Sequence, residues 1–202
     1  MWVVKLGGSL FNSESLSRWL AHLAKTDSVV IVPGGGPFAD QVRGAQQRYH
    51  FDETTAHHMA LLAMEQFGRM VCGMQNGLAV AASRSQIQAV LARGDTPVWL
   101  PSAMVIAEPA IGHSWEVTSD SLALWLGDEL GAEKLLLVKS TPIQGKSISV
   151  KSLRDRGIVD SQFGAYLKQF PIHAWVITAR DYSHFPALHQ GDGSFATEIV
   201  TA

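Results

Sequence analysis

Short apolar runs rich in Val, Ile and Leu alternate along the chain with segments of helical periodicity. The runs lie at residues 2–6, 28–32, 97–100, 134–138 and 173–178, with a closing run at 197–200. Runs of this kind are typical of strands that are buried on both faces of a parallel sheet. The pattern therefore predicts an α/β fold, a three-layer αβα sandwich around a mostly parallel central sheet.

Apolar positions between these runs predict the helices. They are expected at about 13–24, after Pro37, at about 52–71, from Thr118 to near Gly131, at 163–168 and near 181–189. Leu16, Leu20 and Leu23 give the first of them its buried stripe. Asp52 is expected to cap the third helix, and the trio Thr118-Ser119-Asp120 to supply the N-cap of the fourth.

Composition excludes some classes of protein and partner but does not indicate a function. A length of 202 residues, with 47% hydrophobic and 17% charged residues, fits one domain over 1–202. A net charge of −2 gives no basic surface for nucleic acid or an anionic membrane. The lone Cys72 excludes an internal disulfide and is expected to fill the core. With no leader-like or membrane-spanning stretch, a cytoplasmic protein is expected.

Two glycine-rich turns each follow an apolar run, as Lys5-Leu6-Gly7-Gly8-Ser9 and as Pro33-Gly34-Gly35-Gly36. Glycines between a strand and a helix leave backbone N–H groups unobstructed beside the positive end of the helix dipole, where anions bind well. The lysine before the first turn adds the positive charge that a transferring phosphoryl group needs. Together the turns predict phosphate binding, although either one alone is explained as readily by a tight connection.

Neither turn fits a common nucleotide-binding motif. The chain has no G-x-x-x-x-G-K-[ST] loop and no G-x-G-x-x-G followed by an acidic residue about 20 positions on, which disfavours P-loop and Rossmann proteins. Lys-Leu-Gly-Gly-Ser, Pro-Gly-Gly-Gly and Thr-Ser-Asp, in that order, instead resemble the amino acid kinase family. That family includes acetylglutamate, glutamate, carbamate, uridylate and isopentenyl phosphate kinases.

The resemblance implies transfer of the γ-phosphoryl group of ATP to a small anionic acceptor, with Mg²⁺ carried by the nucleotide and no metal ligands from the protein. Lys5 would stabilise charge on the transferring group. The glycine turns would supply backbone donors, with Gly7, Gly8 and Ser9 on the ATP side and Gly34, Gly35 and Gly36 on the acceptor side. Arg43, two helical turns further on, would face either the acceptor anion or solvent.

Asp120 matches the family aspartate that holds two lysines in place by ion pairing. The second of these two lysines is harder to identify from the sequence than the first, Lys5. Residues 159–168 resemble the family's late Gly-Gly-x-x-x-Lys stretch, which makes Lys168 the candidate for the transferred group. Lys139 competes, because it ends a strand at the edge where ligands bind. We expect Lys139, with Ser140, to contact the ATP phosphates.

The predicted helix at about 52–71 gives an indication of which acceptor is used. Residues 56–68 resemble small family members that act as aminomethylfuranmethyl phosphate kinases in the synthesis of a C1-carrier cofactor, and there the acceptor is a phosphate monoester. His57 and His58 face about 100° apart, so at most one reaches the site, and His57 is the candidate. The Arg-x-Thr-type element of carboxylate-phosphorylating members is replaced by Arg48-Tyr49-His50.

Two alternatives stay open. The chain could phosphorylate the carboxylate of an amino acid, or it could be a nucleotide-binding module without catalysis. Because family members usually form oligomers, the resemblance also implies a homo-oligomer. No nucleic-acid or membrane partner is expected.

Overall fold

A computed structural model describes residues 1–201. The strands are β1 (Trp2–Leu6), β2 (Val29–Pro33), β3 (Leu78–Ala81), β4 (Thr96–Trp99), β5 (Lys134–Lys139), β6 (Ser147–Ser149), β7 (His173–Thr178) and β8 (Thr197–Val200). The α-helices are α1 (Ser15–Leu23), α2 (Gly36–Tyr49), α3 (Glu53–Met74), α4 (Arg84–Ala92), α5 (Ser102–Ile106), α6 (Ser119–Leu130), α7 (Val150–Asp155), α8 (Phe163–Gln169) and α9 (Phe185–His189). Short 3₁₀ helices span Gly8–Asn12, Ala179–His184 and Gly193–Phe195.

The strands form a sheet in the order β3-β4-β2-β1-β5-β7-β8-β6, parallel except where β8 runs antiparallel to β7. One hydrophobic core includes Leu122 and Leu126 of α6, and a second includes Trp19 and Leu20 of α1. Helices therefore cover both faces of the sheet. The predicted three-layer αβα sandwich with a mostly parallel sheet is confirmed.

The register of the central strands decides where the site lies. Lys5 in β1 is level with Val32 in β2 and with Leu137 in β5, so all three strands end at the same edge. The two glycine turns begin at this edge, and Lys139 ends β5 there. Ligands of open parallel sheets bind at this carboxyl edge.

Several short elements lie outside the predicted pattern. The edge strand β3 is only four residues long and includes two alanines, with Ala79 partly buried and Val80 exposed, so it lacks the buried run of Val, Ile and Leu that marks the central strands. Between residues 140 and 162 the structure contains β6 and α7, which are not predicted, whereas α8 coincides with the helix predicted at 163–168. Cys72 is half-buried rather than part of the core proper.

The two glycine turns pack directly against each other. A β-carbon on Gly8 would overlap the backbone nitrogen of Gly36, and one on Gly34 would overlap the backbone nitrogen of Gly8. Gly36 also has φ +55°, a left-handed conformation that favours glycine. The glycines are therefore required by backbone contact between the turns, in addition to any ligand.

Replacing Gly8 by Ala should destabilise the protein by about 1–3 kcal/mol, because the added carbon has to displace backbone. Gly44 is the matched control, since it lies within α2 and a β-carbon there would meet nothing within 4 Å. Gly44→Ala should stabilise by about 0.5–1 kcal/mol through helix propensity. Urea denaturation measures both values, and a Gly8→Ala variant as stable as the wild type would contradict the packing of the turns.

Candidate active site

A cavity of about 660 Å³ opens at the carboxyl edge of the sheet. Both glycine turns, the start of α6, the end of β5 and residues 157–160 line it. Of the residues that the sequence nominates, the cavity wall contains Lys5, Gly7, Gly8, Ser9, Gly35, Gly36, Arg43, His57, Asp120, Lys139 and Ser140. Gly34 and Lys168 are outside the wall.

At the floor of the cavity, one carboxylate holds two lysines. Lys5 Nζ lies 2.7 Å from Asp120 Oδ1, and Lys139 Nζ lies 2.8 Å from Asp120 Oδ2. The three side chains are buried, with residue exposures of 4% for Lys5, 5% for Asp120 and 9% for Lys139. We call these three residues the charge triad.

Burial and mutual charge set the protonation of the triad. Burial by itself raises the pKa of Asp120, but the charges of Lys139 and Lys5 outweigh it and hold the pKa at about 2. Burial lowers the pKa of Lys139 to about 8; repulsion from Lys5 acts in the same direction, while attraction to Asp120 opposes it. At neutral pH the triad therefore carries two ammonium groups and one carboxylate, a net charge of +1.

Asp160, which the sequence did not single out, positions Asp120 from another part of the chain. Thr118 is the N-cap residue of α6, but its side chain makes no capping bond. Instead the Asp160 carboxylate accepts hydrogen bonds from the backbone N–H and hydroxyl groups of both Thr118 and Ser121, at 2.5–3.1 Å. The expected local cap is thus replaced by a carboxylate about forty residues away, which fixes the first turn of α6 and with it Asp120.

The segment that carries Asp160 also holds Lys139. The Ile158 carbonyl oxygen accepts a hydrogen bond from Lys139 Nζ at 2.5 Å, beside the two bonds from this ammonium group to Asp120. Burial raises the pKa of Asp160, and repulsion from Asp120 acts in the same direction. The start of α6, the end of β5 and residues 157–160 therefore form one connected polar arrangement.

The structure does not bring Lys168 to Asp120. Lys168 lies in the last turn of α8 and is exposed, whereas its neighbour Leu167 is buried. Adjacent helical residues face about 100° apart, so burial of Leu167 turns Lys168 outward. The pairing expected between Asp120 and Lys168 is thus wrong, and Lys139 takes that place.

The amides of the turns divide into structural and free groups. Gly7 N–H donates to the Val138 carbonyl oxygen at 3.1 Å, and Gly34 N–H donates to that of Leu6 at 2.9 Å. These two amides hold the turns on the sheet and are not available to phosphate, contrary to the role expected for them. Gly8, Ser9, Gly35 and Gly36 remain, and their N–H groups have no backbone acceptor within residues 1–201. The hydroxyl oxygens of Ser9 and Ser140, which both line the cavity, are 2.8 Å apart.

Aromatic contacts form the wall beside the second turn. The Arg43 guanidinium carbon lies 4.3 Å from the ring centroid of Trp115. The His57 ring stacks on His113, with centroids 4.8 Å apart and an interplanar angle of 12°. Burial, with the charges of His113 and His58, lowers the pKa of His57 to about 4, so this ring is neutral at pH 7. In contrast to His57, His58 does not line the cavity.

Sequence comparison identifies the family. The profile described as "Amino acid kinase family" matches residues 1–142, about two thirds of the chain. The chain belongs to the amino acid kinase family. The match contains Lys5, both glycine turns, Asp120 and Lys139, and it ends before Lys168.

Individual relatives agree with this assignment. The [5-(aminomethyl)furan-3-yl]methyl phosphate kinase of Methanocaldococcus jannaschii is 27% identical over 214 residues, covering 99% of this chain and 98% of the relative. Among solved structures, the uridylate kinase of Archaeoglobus fulgidus superimposes with a TM-score of 0.73 at 16% identity, over 99% of this chain and 100% of the other. UMP kinase of Ureaplasma parvum gives 0.71 at 14% identity, over 99% and 98%. These two structures share the fold.

Neither a membrane helix nor a metal cluster is found among the described residues. No helix within 1–201 is long and apolar enough to cross a bilayer. No group of three or more His, Cys, Asp or Glu side chains in the same range is arranged to hold a metal ion.

The lowered pKa of Lys139 is directly measurable in the free protein. We expect its side-chain NMR signals to titrate near pH 8, with the ammonium form below this value and the neutral amine above it. Lys5→Met should raise the pKa, because it removes a repelling charge, and Asp120→Asn should lower it, because it removes an attracting one. Titration at the ordinary lysine value in all three proteins would contradict the triad.

Proposed function

We propose that this family member is an ATP-dependent kinase that phosphorylates a small phosphate monoester. The observation that carries the proposal is the charge triad at the floor of a cavity walled by two glycine turns. The residues that carry this net positive charge line the same cavity as Gly8, Ser9, Gly35 and Gly36, whose N–H groups have no backbone acceptor within residues 1–201. Phosphoryl transfer needs this combination of positioning and countercharge more than it needs a covalent nucleophile.

In the proposed reaction an oxygen of the acceptor phosphate bonds to the γ-phosphorus of ATP. The bond from that phosphorus to the oxygen bridging it to the β-phosphate breaks, and ADP leaves with the electron pair. Lys5 and Lys139 stabilise the negative charge of the transferring group. Asp120 holds the two ammonium groups close together despite their repulsion. Mg²⁺ bound to the ATP phosphates would supply further countercharge.

The acceptor phosphate brings its own nucleophile. Its oxygens are ionised at neutral pH, so no side chain has to remove a proton before attack. The amides of Gly35 and Gly36 and the guanidinium group of Arg43 are the donors that this part of the wall offers to such an anion. Free amides of Gly8 and Ser9 would serve the ATP phosphates.

The choice of a phosphate monoester over a carboxylate rests on two observations. The relative from Methanocaldococcus jannaschii, which aligns over nearly the whole chain, is named for a furan-bearing phosphate monoester. In addition, Arg48-Tyr49-His50 replaces the Arg-x-Thr-type element that carboxylate-phosphorylating members have after the glycine turn. These three residues lie at the end of α2, outside the cavity wall. We therefore propose [5-(aminomethyl)furan-3-yl]methyl phosphate as the acceptor, and a role in cofactor synthesis.

A panel of acceptors tests the proposal. Purified protein with MgATP should convert the aminomethylfuran phosphate to a diphosphate, seen by ³¹P NMR as a pair of coupled signals together with ADP. Glutamate, acetylglutamate and carbamate should give no acyl phosphate when trapped with hydroxylamine. Activity on a carboxylate alone would contradict the acceptor class, and ATP binding without transfer to any acceptor would favour a non-catalytic module.

A further inference from the structure

The cavity contains a carboxylate that the proposed reaction does not use. Three acidic side chains line the wall within residues 1–201: Asp40, Asp120 and Asp160. Asp120 is held by two lysines, and Asp160 is occupied by Thr118 and Ser121. Asp40 is exposed to the cavity, and no hydrogen-bond or ion-pair partner for it exists in the described part of the chain.

The nearest basic residue on the same helix does not neutralise Asp40. Arg43 follows it by three positions on α2, a spacing at which opposite charges commonly pair. Its guanidinium group lies over the Trp115 ring instead, and no salt bridge between Arg43 and Asp40 forms. The part of the cavity wall that α2 forms therefore presents two separate charges to a ligand, the Arg43 guanidinium group and the Asp40 carboxylate.

An unpaired carboxylate beside a phosphate subsite disfavours a purely anionic ligand. The repulsion is relieved if the acceptor itself carries a positive charge at the right distance from its phosphate. Asp40 lies four residues beyond Gly36, which corresponds to roughly 6 Å along the helix axis at 1.5 Å per residue. A small ring or short chain between phosphate and ammonium spans that distance.

We propose that Asp40 is a specificity-determining residue that binds an ammonium group of the acceptor. The inference rests on the proposed function in that the phosphate of the acceptor lies at the second glycine turn. The ligand class is then a zwitterionic phosphate monoester, whose phosphate contacts Gly35, Gly36 and Arg43 and whose amine contacts Asp40. Because the amine is remote from the reacting atoms, Asp40 acts on acceptor binding rather than on the chemical step.

Two probes that differ only by an amino group separate this role from a general one. 4-(Aminomethyl)benzyl phosphate carries the amine, and 4-methylbenzyl phosphate lacks it. The wild type should bind the amine probe about tenfold more tightly by calorimetry, in line with one charge-assisted contact in a partly solvated site. Asp40→Asn should remove this preference by weakening binding of the amine probe. The methyl probe should bind this variant at least as tightly as it binds the wild type, because a charge that repels an anion is removed.

Asp128→Asn is the matched control, because Asp128 is an exposed aspartate on α6 that does not line the cavity. It should keep the wild-type preference. With the phosphorylation assay, Asp40→Asn should raise KM for the amine probe while kcat changes little. If Asp40→Asn weakens both probes equally, or if the wild type does not prefer the amine, the assignment of Asp40 is overturned.

The outcomes also separate this inference from the proposed function. Preferential binding of the amine probe through Asp40 without any phosphorylation supports the specificity residue and contradicts the kinase proposal. Phosphorylation of both probes with no preference supports the kinase and overturns the role of Asp40.

Discussion

Asp120 determines the arrangement of the site because it keeps two buried ammonium groups within reach of one another. Without a carboxylate between them, Lys5 and Lys139 would repel each other in a region largely withdrawn from water, and a buried unpaired charge is strongly unfavourable. With Asp120 in place, all three groups remain charged and a net charge of +1 faces the cavity. A positive site that is fixed before the ligand arrives needs little reorganisation when negative charge develops.

The rest of the fold supports this contact from several directions. β1 and β5 are adjacent and in register, which places Lys5 and Lys139 at neighbouring strand ends. Asp160 holds the first turn of α6, and the Ile158 carbonyl oxygen fixes the Lys139 ammonium group. The packing of Gly8 against Gly36 sets the separation of the two turns, so that donor and acceptor phosphates would approach across the triad.

Much of this arrangement could be predicted from local patterns. The apolar runs locate the central strands, and Asp52 caps α3 as its position before the helix implies, with Thr55 N–H donating to it at 2.8 Å. Contacts between distant parts of the chain could not be predicted in the same way. The role of Asp160 is an example, because nothing near this residue in sequence indicates that it caps α6. A loose motif match favours Lys168 over Lys139 for the transferred group, whereas in the structure the burial of Leu167 turns Lys168 to solvent.

The most direct test of the triad compares two lysines under single-turnover conditions with ATP and the acceptor. Lys139→Met should lower the rate of phosphoryl transfer by about 10²–10³-fold, because it removes one of the two fixed positive charges that we propose stabilise the transferring group. Lys168→Met should transfer at nearly the wild-type rate, since this residue is exposed and outside the cavity wall. A large loss in Lys168→Met with little change in Lys139→Met would contradict the account.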